Sequence, residues 1–170
     1  HNEKKAKSGV SDVFALGKYA FVSLNNGEFL VFDISKPKKV KLLSRVKGKG
    51  GWGKGIVADK RYVYFSNWNG GLEIYDYKKP KKIKFVSMLK PTNNAVYQAR
   101  LHNKELIVLA NAWGGVSLVD IRNKKEPLFI KNLQVKTGFY KTNALGIDLV
   151  GKFVVVADNA TKVLSVFKIK

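Results

Sequence analysis

Three tryptophans, Trp52, Trp68 and Trp113, stand in polar, glycine-rich stretches rather than in apolar runs. Tyr97 and Tyr140 occupy similar stretches, and asparagines crowd around them, Asn94 among them. Aromatic rings beside amide side chains suit a ligand with apolar faces and many hydroxyls or amides. Sugars and peptides fit that description, so these six residues are candidate ligand-binding groups. A structural role competes: asparagines cap turns, and tryptophans staple neighbouring sheets. Asn67, Asn111 and Asn159 recur at one equivalent position, which favours the structural role for them. Trp52 has no counterpart and is the better binding candidate.

The second chemistry is charge. The 170 residues hold 32 Lys+Arg against 12 Asp+Glu, a net charge of +20. Such a chain attracts nucleic acid, acidic glycan, anionic lipid or acidic protein. A lineage with a lysine-rich proteome gives the same composition. Lysine far outnumbers arginine, which leaves little for bidentate phosphate or guanine recognition. Lys38, Lys39, Lys81, Lys82 and Lys124 are the candidate contacts for an anionic partner.

Catalytic chemistry finds little support. There are no cysteines and two histidines, His1 and His102, neither with metal-ligand spacing to a second ligand. No nucleophile triad, phosphate loop or dinucleotide fingerprint is present. Glu28, Glu73 and Asp158 fall near B–C turns and are the candidate carboxylates for a glycosidase-like pair. The expectation is a chain with no catalytic residue, no metal and no cofactor. No apolar run approaches the ~20 residues of a membrane-spanning helix. A start at His1 rather than Met is what a cleaved export signal leaves, as is a trimmed or altered terminus.

The elements that position these residues repeat. Residues 19–33 (YAFVSLNNGEFLVFD) recur at 62–76 (YVYFSNWNGGLEIYD), 106–120 (LIVLANAWGGVSLVD) and 154–168 (VVVADNATKVLSVFK). Their last residues, Asp33, Asp76, Asp120 and Lys168, are spaced by 43, 44 and 48. That period, filled with short β-branched and aromatic runs, predicts an all-β, four-bladed β-propeller. The first unit reads as strand A at 13–16, B at 19–24, C at 29–34 and D at 40–46. The glycines of the B–C turns require positive φ. The units fall at about 11–53, 54–97, 98–144 and 145–170 of a single domain.

The C–D bends repeat as well: DISKP from Asp33, DYKKP from Asp76 and DIRNKKEP from Asp120. A hydrophobic strand ending in Asp, then a Pro-containing bend, resembles the LVIVD-repeat family. Leu118-Val119-Asp120 and Leu30-Val31-Phe32-Asp33 are the closest matches, and Lys168 departs from the pattern. The resemblance implies an exported or surface β-propeller (extracellular, periplasmic or cell-surface), and the tryptophans and asparagines in its loops point to a binding or scaffolding role. The three aspartates are expected to accept backbone N–H groups in their bends.

The fourth unit ends after its strand C. Residues 4–10 echo 38–44 and 81–87, so the segment 3–10 is one candidate for the missing strand. Completion by a larger ring or a second copy is the other, and would bring self-association. Propeller geometry places the B–C turns and D–A connections, with the tryptophans, on one face. The A–B and C–D connections, with the lysines, lie on the opposite face.

Overall fold

The computed structural model describes residues 8–91, 95–134, 136–137 and 140–169. They form four antiparallel sheets arranged as a four-bladed β-propeller. The first sheet is β1 (Val10–Leu16), β2 (Tyr19–Leu24), β3 (Glu28–Asp33) and β4 (Lys41–Lys47), with a single 3-10 turn at Pro37–Lys39. The second is β5 (Gly55–Ala58), β6 (Tyr62–Ser66), β7 (Leu72–Asp76) and β8 (Lys84–Leu89). The third is β9 (Gln98–Leu101), β10 (Leu106–Ala110), β11 (Val116–Asp120) and β12 (Leu128–Leu133). A short ladder, β13 (Lys136–Thr137) with β14 (Tyr140–Lys141), leads to the fourth sheet. That sheet is β15 (Ala144–Val150), β16 (Phe153–Asp158) and β17 (Val163–Lys168).

Burial explains the composition of each strand. The second and third strands of a sheet pack on both faces, so they read as near-continuous apolar runs: β7 and β11 are buried except at their final Asp. The fourth strands lie outermost, exposed, and carry Lys41, Arg45, Lys84 and Lys131. Charges on such edges discourage pairing with other chains.

Apolar cores fill the spaces between sheets. Phe21, Phe29 and Val31 meet Ile56, Val63, Phe65 and Tyr75 between the first and second. Tyr64 and Ile74 meet Ile107 and Leu109 between the second and third. Val108 and Leu118 meet Ile147, Val154 and Val156 between the third and fourth. The seam from the fourth sheet back to the first differs. Leu24, Leu30 and Phe32 cluster within the first sheet alone. Leu164 and Val166, on the face of the fourth sheet turned away from the third, are 69% and 58% exposed. Of the segment 3–10 expected to complete that sheet, residues 3–7 lie outside the described residues, and Val10 belongs to β1.

The two faces sort as the repeat predicts. On one, the backbone N–H groups of Ile34, Tyr77, Ile121 and Ile169 donate to the carbonyls of Lys18, Arg61, Glu105 and Lys152, once per blade. Each bond ties the end of the third strand to the turn between the first two. On the other, Gly48 donates to Gly27 and Val96 to Trp68, which ties B–C turns to D–A connections. Gly27, Gly71 and Gly115 have φ of 76°, 80° and 72°, the left-handed region that glycine enters without a Cβ clash.

Asp33, Asp76 and Asp120 accept the N–H of Ser35, Lys78 and Arg122 at 2.9, 2.7 and 2.9 Å. Asp76 and Asp120 also receive the guanidiniums of Arg61 and Arg122. The bonds from Ser35, Arg61 and Arg122 hold the three carboxyls below the ordinary 3.8. The bond from Asn26, with Arg45, holds Glu28 below the ordinary 4.5.

Blade 2 contains a polar anchor. Glu73 in β7 is fully buried. Its carboxylate accepts the N–H groups of Lys49 and Gly50 at 2.9 Å, Asn67 Nδ2 at 2.8 Å and the Tyr75 hydroxyl at 2.5 Å. The same position holds Leu30 in blade 1 and Ser117 in blade 3. The donors at 49 and 50 belong to the glycine-rich loop between β4 and β5, so Glu73 fixes that loop to the blade. A buried carboxylate is tolerated only where donors replace its water.

Glu73→Gln turns an amide N–H₂ toward groups that themselves donate. It is expected to cost roughly 2–4 kcal/mol, read as a lower urea midpoint at unchanged m-value. An unchanged midpoint would show that the loop is held by other means. The depressed carboxyls set the acid limb. Their contribution is fully present above the ordinary carboxylate values and is lost as pH falls below them. The thermal midpoint should hold steady down to about pH 5 and fall below about pH 4. In Asp76→Asn the fall should be shallower, which calorimetry across pH 2–7 would read.

Candidate ligand-binding site

Gly55 opens β5 where the inner strands converge. A Cβ there would lie 2.7 Å from the Tyr97 carbonyl and 2.9 Å from Gln98 Cα, so only glycine permits this approach of β5 to β9. Two side chains tie the remaining inner strands. Asp12 in β1 accepts the Ile56 N–H at 3.0 Å, and Gln98 in β9 accepts the Ile147 N–H at 2.7 Å. The strands surround an open cavity of about 320 Å³ lined by Ser11, Asp12, Asn25, Lys54, Gln98 and Leu145, among others. An adjoining recess of about 490 Å³ shares Asn25 and Lys54 and adds Trp52. Both volumes fall in the range of small-molecule sites.

Three aromatic rings stand at this mouth. Trp52 lies 5.6 Å from Trp68, and Trp68 lies 4.9 Å from Tyr97, centroid to centroid. Trp68 reaches its place through strain: its φ is 38°, a left-handed conformation costing a tryptophan about 1–2 kcal/mol. The Val96–Trp68 bridge holds it there. Burial pushes the Tyr97 phenol up. The Lys54 ammonium lies 4.8 Å from Trp68, 5.6 Å from Tyr97 and 5.8 Å from Trp52. Trp52 itself is 57% exposed.

The structure thus joins three of the six candidate residues. Trp113 is exposed in the corresponding turn of blade 3 and makes no ring contact with the stack among the described residues. Asn94 and the side chain of Tyr140 lie outside the described residues. Lys54 was not singled out by sequence reasoning, because one lysine among many carries no signal. Its alternation with Trp52 and three glycines (GWGKG, 51–55) was the available cue.

The asparagines at the repeated position divide. Asn67 and Asn111 are fully buried, and their amides bond Glu73 and Ser117. Asn159 is exposed. On the opposite face, Lys38, Lys39, Lys81 and Lys82 are exposed. Lys124 differs from its expected role. Its ammonium folds back onto the carbonyls of Lys104 and Ile121 and over the Tyr62 ring, and burial pulls its pKa down. It is committed to the fold rather than free for an anion.

The three carboxylates near turns are each engaged. Glu28 pairs with Arg45 at 2.6 Å, and Glu73 is enclosed by its donors. Asp158 accepts the N–H groups of Asn143, Ala160 and Thr161. Burial pushes its carboxyl up, but those bonds outweigh it and hold the pKa low. Among the described residues, no three histidines or carboxylates cluster as a metal site. His1 lies outside them.

Comparison with known proteins follows the same lines. The LVIVD repeat matches residues 9–47, the span of the first blade. No curated protein sequence matches the chain. Among solved structures, the computationally designed Ika4 protein is similar over 99% of this chain and 96% of its own, at 13% identity and TM-score 0.78. The designed Ika8 protein is similar at 14% identity and TM-score 0.72, with this chain spanning 47% of its length. The Cps50 (Swd1) β-propeller domain of Myceliophteria thermophila is similar at 15% identity and TM-score 0.73, with 58% of its length spanned. Identities this low bear on the fold alone. The chain is thus a four-bladed β-propeller whose first blade matches the LVIVD repeat.

Proposed function

We propose that the chain is a non-catalytic binding or scaffolding module, exported or surface-exposed. Its B–C and D–A face takes a glycan, peptide or protein partner. The observation that carries this reading is the cluster of tilted rings, Trp52, Trp68 and Tyr97, standing at the mouth of the axial cavity. A half-exposed tryptophan on a loop fixed by a buried carboxylate offers a rigid apolar platform. Loops held by a rigid scaffold are where binding residues concentrate.

A second reading rests on the opposite face. Lys78, Lys79, Lys82 and Lys84, with Asp76, line a recess of about 270 Å³ beside Lys81. This face supports docking of nucleic acid or another acidic polymer through charge.

The two readings separate by variant. Tryptophan emission and calorimetry against glycan and peptide panels should reveal a ligand. Trp52→Ala should weaken it about tenfold or more, while Trp113→Ala changes it less than about twofold. Equal losses would move the site off the stack. For the basic face, retention on heparin or DNA should fall steeply with salt, and Lys81→Gln/Lys82→Gln should flatten that dependence. Absence of retention at low ionic strength would reject the second reading.

A further inference from the structure

The axial cavity has a donor-rich hydrogen-bonding inventory. Its carboxylate and amide oxygens each already accept a bond. Asp12 Oδ1 takes the Val13 N–H at 2.9 Å and Oδ2 takes the Ile56 N–H at 3.0 Å. Gln98 Oε1 takes the Ile147 N–H at 2.7 Å. Asn25 Oδ1 takes the Ser11 hydroxyl at 2.6 Å. Among the described residues that line the cavity, the side-chain donors left without a protein acceptor are Asn25 Nδ2, Gln98 Nε2, the Tyr97 hydroxyl and the Lys54 ammonium. Asp12, the carboxylate in the same cavity, is occupied by two backbone N–H groups rather than by Lys54.

A site whose spare groups are mostly donors, with only the Ser11 and Tyr97 hydroxyl oxygens left to accept, favours a ligand rich in acceptors. One of the donors is a cation, so the ligand gains most by carrying negative charge. The exposed face of Trp52 beside Lys54 adds an apolar surface of ring size. A neutral peptide offers as many donors as acceptors and leaves half its groups unmatched. A pyranose with a carboxylate matches the inventory better. The carboxylate meets Lys54, ring and hydroxyl oxygens accept from Asn25 and Gln98, and the C–H face lies on Trp52. The net charge of +20 draws such a ligand toward the protein.

We propose that the axial cavity is a subsite for a uronic-acid sugar, with Lys54 as the carboxylate contact and Trp52 as the stacking platform. This rests on the binding-module reading and names its ligand class.

The probe is tetragalacturonate, compared with its fully methyl-esterified form, which keeps the rings and removes the charge. The expected result is binding of the acid with at least about tenfold preference over the ester. Lys54→Gln should remove that preference, whereas Lys81→Gln/Lys82→Gln should leave it intact. If the ester binds the wild type as tightly as the acid, the uronate assignment is overturned while the binding-module reading stands. If the preference persists in Lys54→Gln and disappears in the Lys81/Lys82 variant, the acid is held by the basic face and the assignment is again overturned. If tetragalacturonate fails to bind but a neutral glycan or peptide binds with a loss in Trp52→Ala, the assignment falls alone. If no glycan or peptide binds at all, both readings fall. Circular dichroism and the urea midpoint of Lys54→Gln separate a lost contact from a lost fold.

Discussion

A carboxylate taken out of water has to be surrounded by donors, and much of this molecule's B–C and D–A face depends on how Glu73 meets that demand. Two of its donors are the backbone N–H groups of Lys49 and Gly50. These lie in the loop that carries Trp52 and Lys54. The loop is glycine-rich and has little side-chain packing of its own, so without this anchor its backbone entropy would oppose a single conformation. The Tyr75 hydroxyl completes the cradle while its ring packs against Phe29 across the first interface. One buried group thus couples the core between two blades to the position of the aromatic stack.

The fold was legible because its signals are local and repeated four times. The alternation of apolar runs with glycine turns located the strands of the first blade to within a few residues. The Asp at the end of the third strand in the first three blades identified the bend it caps. The short ladder at β13 and β14 was missed because two-residue strands in a polar segment have no period. Glu73 was visible as a carboxylate near a turn, but its burial was not. Burial there depends on residues 49 and 50 crossing from the preceding unit, a tertiary fact that no local pattern encodes. Substitution of Leu30 by Glu73 and Ser117 at one repeat position carried part of that information.

The candidate site was legible in type and not in composition. Trp52, Trp68 and Tyr97 come from three different connections, and they meet because the inner strands converge on the axis. Trp113 has the same sequence signals as Trp68, yet its ring falls one position later in the turn. The residue in the left-handed position is Trp68 in one blade and Ala112 in the next, with φ of 38° and 47°. A shift of one residue across that kink sends the side chain in a different direction. Residue type alone could not separate the two.

The two faces differ in a way that net charge hides. A lysine free in solvent carries about 2 kcal/mol of rotamer entropy, which an ion pair must overcome. Lys38, Lys39, Lys81 and Lys82 are in that state, so their attraction is long-ranged, additive and weakened by salt. Lys54 is already held against three rings, and the loop beneath it is fixed by Glu73. An anion meeting it forfeits less entropy and finds a defined geometry beside an apolar platform. Charge spread over the outer face therefore acts at long range and without fixed geometry, whereas a restrained cation such as Lys54 at the axis acts at short range and in one geometry.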